Sequence, residues 1–190
     1  MPDLSDNFNS IDPSKVTRKQ YAVVIFVPPQ LERYVAPLRE RFDPDYNLVA
    51  AHISLVFPFR TEVLLEDLST IVAEEVASLE PLRLQLGSIG DFYPRAPVIY
   101  WKVKQCDELN LLHKRLYARL DLPLPHRDFV PHLTVAKEIS NHRLVLVKDQ
   151  IAAYLPDESF EVKSVDLIAP VAGHHWVSVR TFPVAPDQKA

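Results

Sequence analysis

The apolar positions of this chain follow two rhythms: short runs or alternations that fit strands, and longer stretches repeating every three to four residues, as helices do. Residues 1–20 carry neither rhythm and are expected to form a loosely held arm. Tyr21 to Val27 is a continuous β-branched run that reads as a buried strand stopped by Pro28 and Pro29. Leu31, Tyr34, Val35 and Leu38 keep helical spacing, with Pro37 expected to kink or restart the helix. Asp43, Pro44 and Asp45 mark a turn before AHISLVFPFR (51–60), an apolar strand interrupted by His52 and Ser54 and ended by Pro58. Helical period returns from Leu64 to Leu79. Leu82 to Ile89 and Val98 to Lys104 read as strands on either side of a loop from Gly90 to Pro97.

Asp107 to Leu120 is an amphipathic helix, and Pro123 and Pro125 then force an extended approach to the strand in FVPHLTVAK (129–137). Asn141 to Leu155 reads as a helix that Asn141 or Ser140 can cap. Phe160 to Ile168 and His175 to Val184 read as two closing strands, with 185–190 as a tail. This order repeats itself: strand, helix, histidine strand, helix, strand, and the same five again. Thirty-one residues separate Tyr21 from His52, and thirty-four separate Val98 from His132. Two copies with so long a period do not make a solenoid; they predict two related lobes packed face to face. Residues 21–184 are therefore expected to form a single bilobal α+β domain of duplicated β-α-β-α-β units, with antiparallel sheets facing a central cleft.

Composition narrows the choices. Of 190 residues only three are glycine, which removes glycine-rich phosphate loops and dinucleotide fingerprints. The net charge of -4, with both signs interspersed, offers no bulk attraction for duplex DNA or an anionic membrane. The single Cys106 excludes an internal disulfide and a cysteine-based zinc site, and fits a cytoplasmic setting. No apolar stretch is long enough to span a membrane, and the first residues lack the basic start and apolar core of a secretory signal.

In a strand, residues two apart share a face, so His52 and Ser54 point one way while Ile53 and Leu55 point the other. His132 and Thr134 repeat the arrangement at the equivalent place in the second unit. A pair of histidines on opposite sides of a phosphate can act as general base and general acid in one in-line displacement. The hydroxyls of Ser54 and Thr134 can donate to the non-bridging oxygens, where charge develops. Neither a metal nor a cofactor is required.

The segments HISLVFPF and FVPHLTVAK resemble the paired H-x-[ST]-x motifs of the two-histidine (2H) phosphoesterase superfamily, which includes RNA 2',3'-cyclic phosphodiesterases and 2'-5' RNA ligases. The likeness extends to the approach RFDPDYNLVAAHISLVFPF and covers residues 21 to about 184. It implies a pseudo-twofold bilobal fold and a metal-independent phosphodiesterase hydrolysing 2',3'-cyclic phosphate or 2'-5' bonds in RNA or a small nucleotide. It also implies catalytic roles for His52 and His132 and phosphate-binding roles for Ser54 and Thr134. The expected partner is a small nucleotide or RNA end, bound by a monomer. The alternatives are a catalytically silent nucleotide- or RNA-binding module with the same cleft, ligation as the reverse chemistry, and a metal-dependent hydrolase.

Further candidates for substrate contact are Tyr100 and Lys102 on the polar face of their strand, Arg180 on the last strand, and Phe92 and Tyr93 as stacking rings in the preceding loop. Lys137 is out of phase with His132 and is expected to face away. His126, Arg127 and Asp128 match a kinase triplet without its accompanying motifs, so chance explains them. His174 and His175 are adjacent and badly placed for a shared metal, and His113 and His142 read as surface groups on helices.

Overall fold

The computed structural model describes residues 20–171 and 174–185; the arm and the tail expected from sequence lie almost wholly outside them, as does Gly173. Strand β1 (Gln20–Phe26) leads into helix α1 (Pro29–Phe42), strand β2 (His52–Arg60), helix α2 (Leu65–Ala77) and strand β3 (Arg83–Asp91). The second series is β4 (Ile99–Val103), α3 (Asp107–Arg119), β5 (His132–Ala136), α4 (Asn141–Tyr154) and β6 (Glu158–Glu161), followed by β7 (Ser164–Pro170) and β8 (Trp176–Pro183).

The strands form one antiparallel sheet in the order β6-β3-β4-β5-β2-β1-β7-β8. The two expected lobes are thus the halves of a continuous sheet, joined where β2 meets β5. Each half takes a strand from the other's stretch of sequence: β3 crosses over to pair with β4, and β7 returns to pair with β1. The run expected as one strand over 160–168 is therefore two. Only Val162 and Lys163 separate the edge strand β6 from β7, six places away in strand order. In a flat sheet that distance would be about 29 Å, far beyond the reach of a few residues, so the sheet curls until its ends approach. At the crossing Val162 N–H donates to the Leu82 carbonyl, and Val184 N–H to that of Lys163.

One sheet face carries Val23, Ile25, Ile53, Leu55, Trp101, Leu133 and Leu167, which join apolar residues of all four helices in the main core. Each such side chain removes apolar surface worth about 1.5–3 kcal/mol from water. The opposite face carries a smaller apolar cluster, Ala22, Val24, Val49 and Ile168, with Phe26 and Trp176 packed against it. Helix α1 runs through Pro37 without a break. Pro37 is exposed, so the carbonyl it leaves without an intrahelical donor faces solvent, while Leu31, Val35, Arg39 and Phe42 form the buried stripe. Ser140 occupies the N-cap position of α4 but its side chain makes no capping bond.

Candidate functional site

Ile53 and Leu133, both fully buried, are paired where β2 meets β5. One step either way along this antiparallel register sets His52 opposite Thr134 and Ser54 opposite His132. Each histidine thus neighbours the other motif's hydroxyl, and all four side chains line one cavity of about 430 Å³. The burial sequence is the same in both segments, Ala51 to Phe57 and Pro131 to Lys137: buried, half-buried, buried, half-buried, then two buried residues and one half-buried.

Both rings are held in the same way. His52 Nδ1 lies 2.8 Å from the Ala50 carbonyl and His132 Nδ1 2.6 Å from that of Val130. A carbonyl only accepts, so each Nδ1 carries the proton and each neutral ring keeps an unprotonated Nε2, the atom a base requires. Burial lowers the His52 pKa to about 4; the Ala50 carbonyl opposes this, and the charges of Arg39, Lys137 and His132 add to it. His132 is lowered chiefly by burial, with Arg127 contributing. The hydroxyls of Ser54 and Thr134 have no hydrogen-bond partner among the described residues and are available to a ligand.

Lys137 does not face away. Strand β5 ends at Ala136, and Lys137 N–H donates to the Phe42 carbonyl at the end of α1, which turns the side chain into the cavity. There it pairs with Asp45 at 2.7 Å, with Asp43 at 3.8 Å. Phe57, five residues after His52 as Lys137 is after His132, turns in by the same device. The β1–β2 register slips beside it, and its N–H donates to the Tyr117 hydroxyl of α3. That common offset is the signal in the sequence that could have found both. Arg39 also lines the cavity: it is 3 % exposed, bonded to Asp43 and to the Val49 carbonyl, and its Nη1 has no hydrogen-bond partner among the described residues. His174 stands at the rim with a positive φ of 65°.

A second cavity of about 230 Å³ shares Phe57, His132 and Thr134 with the first and extends over Phe92 and Phe129, with Arg95 and Arg127 at its margin. Arg127 sits over the Phe57 ring at 5.6 Å and Arg95 over that of Phe92 at 5.2 Å. Of the residues proposed from sequence for substrate contact, Phe92 and Tyr100 come together at His132, each ring centroid 4.9 Å from the imidazole. Tyr100 lies across Gly90, where a Cβ would come within 2.5 Å of its ring. Lys102 pairs with His132 across β4 and β5 and is exposed, but lines neither cavity. Tyr93 is exposed in its loop and also lines neither.

Arg180 is on the wrong face. It pairs with core-facing Leu167 because a bulge in β8 shifts the phase, and its guanidinium lies 3.7 Å from Glu66 of α2. His113 is not a surface group either: it is 3 % exposed, bonded through Nδ1 to the Leu55 carbonyl at 2.6 Å and stacked on Phe129. It braces the approach to β5 against β2. His142 is exposed, as expected. Among the described residues, no three His, Cys, Asp or Glu side chains converge as a metal site, and no helix is long and apolar enough to cross a membrane.

A family model described as the 2'-5' RNA ligase superfamily matches residues 27–173. A phosphoesterase candidate from Geobacillus kaustophilus is 29% identical over 166 residues, covering 86% of this chain and 95% of its own. One from Bacillus thuringiensis is 37% identical over 122 residues, covering 63% and 70%. Among solved structures, E. coli LigT complexed with 3'-AMP superposes with a TM-score of 0.64 at 19% identity, covering 88% of this chain and 98% of its own. TT0787 of Thermus thermophilus gives 0.63 at 16% identity, covering 89% and 100%.

Proposed function

Because the chain belongs to the 2'-5' RNA ligase superfamily, we propose that it is a metal-independent phosphodiesterase acting on 2',3'-cyclic phosphate or 2'-5' phosphodiester bonds in RNA or small nucleotides. The observation that carries this reading is the crossed pairing at Ile53 and Leu133, which sets two neutral, carbonyl-anchored imidazoles and two free hydroxyls around one cavity. The phosphate sits between His52 and His132. One neutral imidazole takes a proton on Nε2 from the attacking hydroxyl or water, while the other, which takes up a solvent proton on Nε2 when the phosphate anion binds beside it, supplies that proton to the departing ribose oxygen. Ser54 and Thr134 donate to the non-bridging oxygens, and Lys137 adds a positive charge at the edge. The nucleobase of the nucleoside whose ribose carries the phosphate enters the second cavity, against Phe57 and Phe92, with Arg95 and Arg127 beside it.

The test is turnover of 2',3'-cyclic nucleotides and 2'-5' linked dinucleotides across pH in the presence of a chelator. The expected result is a bell-shaped profile, unaffected by chelator and abolished in His52→Ala and in His132→Ala. Tight nucleotide binding without turnover on either class would instead identify a silent binding module. Activity lost to the chelator and restored by a divalent metal would identify a metal-dependent hydrolase.

A further inference from the structure

Thirteen residues before each histidine of the site stands an arginine, and the two are used differently. Arg119, thirteen before His132, is exposed on α3 and pairs with Glu74 and Glu75 of α2. Arg39, thirteen before His52, stands in the buried stripe of α1 with Leu31, Val35 and Phe42. Its side chain and that of its partner Asp43 are 3 % and 1 % exposed, with Nε and Oδ2 3.0 Å apart. Taking two charges out of water costs about as much as their attraction supplies, so an apolar pair would serve the core as well. Nη1 adds to the cost, since it is closed off from solvent and has no hydrogen-bond partner among the described residues. Core packing does not account for a cation here; its connections do.

The guanidinium spans the segment between α1 and β2. Nε donates to Asp43 Oδ2 at the start of that segment, and Nη2 donates to the Val49 carbonyl at 2.9 Å near its end. Asp43 passes the constraint on. Its Oδ1 accepts from the Asp45 N–H at 3.1 Å, which fixes the turn, and the Asp45 carboxylate holds Lys137 Nζ at 2.7 Å. The main chain of Lys137 is tied to the Phe42 carbonyl at the end of the same helix. Both ends of Lys137 are thus referred to α1, the ammonium by way of Arg39. With Nη1 closed off from solvent, Arg39 acts on an anion in the cavity through the groups it holds.

We propose that Arg39 is a positioning residue for the reaction, setting the place of the Lys137 ammonium at the phosphate through Asp43 and Asp45. The proposal rests on the phosphodiesterase reading for the identity of the anion, and adds to it a residue outside both histidine motifs. The planar fork of the guanidinium is what the role requires, because its donors lie at fixed angles and reach a carboxylate and a carbonyl at once. A lysine ammonium keeps the charge but is a point on a flexible stem. Arg39→Lys therefore separates position from charge.

The experiment measures the Kd of inorganic phosphate by calorimetry in the wild type, Arg39→Lys, Lys137→Gln and the double variant, with urea unfolding on each. Arg39→Lys is expected to weaken binding about fivefold or more in the wild-type background and less than about twofold in Lys137→Gln, a coupling on the scale of residues in one network. On a 2',3'-cyclic nucleotide, kcat/KM should follow the same pattern. An equal loss of phosphate affinity in both backgrounds would mean that the site has loosened as a whole, and no loss in either would mean that Lys137 is placed without Arg39; each overturns the proposal, as does a wild type that binds no phosphate. Should Arg39→Lys not fold, the cycle is run with Arg39→Gln and Asp43→Asn together, which removes both charges and leaves the net charge unchanged. If that protein does not fold either, Arg39 belongs to the fold alone and the proposal is overturned. Turnover decides the phosphodiesterase reading separately: the expected phosphate cycle without turnover upholds the positioning of Lys137 at an anion site while that reading falls.

Discussion

Ile53 and Leu133 face each other on the core side of the sheet, and this one pairing determines how the four polar residues on the other side are crossed. Were either strand to slip by a single residue, its histidine and hydroxyl would pass into the core face and its apolar neighbours into the cavity. The apolar partners on the core face thereby hold the polar site in register.

The hydroxyls should matter for rate more than for stability. Ser54 and Thr134 make no bond within the described protein, so Ser54→Ala or Thr134→Ala removes a donor without leaving a partner unsatisfied. Each is expected to lower kcat by about 10²- to 10³-fold, the scale for a donor to developing charge, with a denaturant midpoint close to wild type. Ser54→Thr should keep most of the activity. Steady-state kinetics and urea unfolding on the same preparations check both halves of this expectation.

Lys137 should tune His52. Its charge is among the influences that lower the His52 pKa, although burial is the largest. Lys137→Gln should therefore raise that pKa, part of the way back toward its ordinary value, as read from the imidazole resonances in an NMR titration. The same variant should bind inorganic phosphate less tightly, since a cation at the cavity edge is gone.

Acid should destabilise the fold in a defined window. His52, His113 and His132 all have folded pKa values below the ordinary 6.5, with burial the leading cause in each. The unfolded chain takes up protons near pH 6.5 while the folded chain resists until lower pH, so stability is fully present above that value and declines as pH falls toward 4. Urea midpoints at about pH 7.5 and about pH 5, on either side of the unfolded value, should differ accordingly. In His113→Gln the protein should be weaker at both, because the bond to Leu55 is altered, but the difference between them should be smaller.

Gly90 should be intolerant of a side chain for reasons of position. A Cβ would come within 2.5 Å of the Tyr100 ring, which is held between Phe92 at 4.4 Å and His132 at 4.9 Å. Gly90→Ala is expected to push that ring toward the cavity, raising KM for nucleotides several-fold while the fold persists. A KM unchanged from wild type would mean that the ring can move aside without disturbing the histidine.

Period-two alternation is a local property of a chain, set by backbone sterics, so the sequence by itself determined that His52 and Ser54 share a face and that His132 and Thr134 do too. The helices from Leu65 and from Asp107 were legible for the same reason, each needing only a stripe of apolar residues at helical spacing. Where strands end or bulge, local periodicity stops carrying information. Lys137 enters the site because β5 has ended and the chain is bonded to Phe42, whereas Arg180 leaves it because a bulge in β8 shifts the phase. His113 is buried because β2 offers a carbonyl 58 residues away along the chain. The exchange of β3 and β7 between halves, and the pairing of Ile53 with Leu133, depend on contacts between segments remote in sequence. Tertiary structure alone decided that the two motifs form one site, because only closing the sheet along β2 and β5 buries both apolar faces at once.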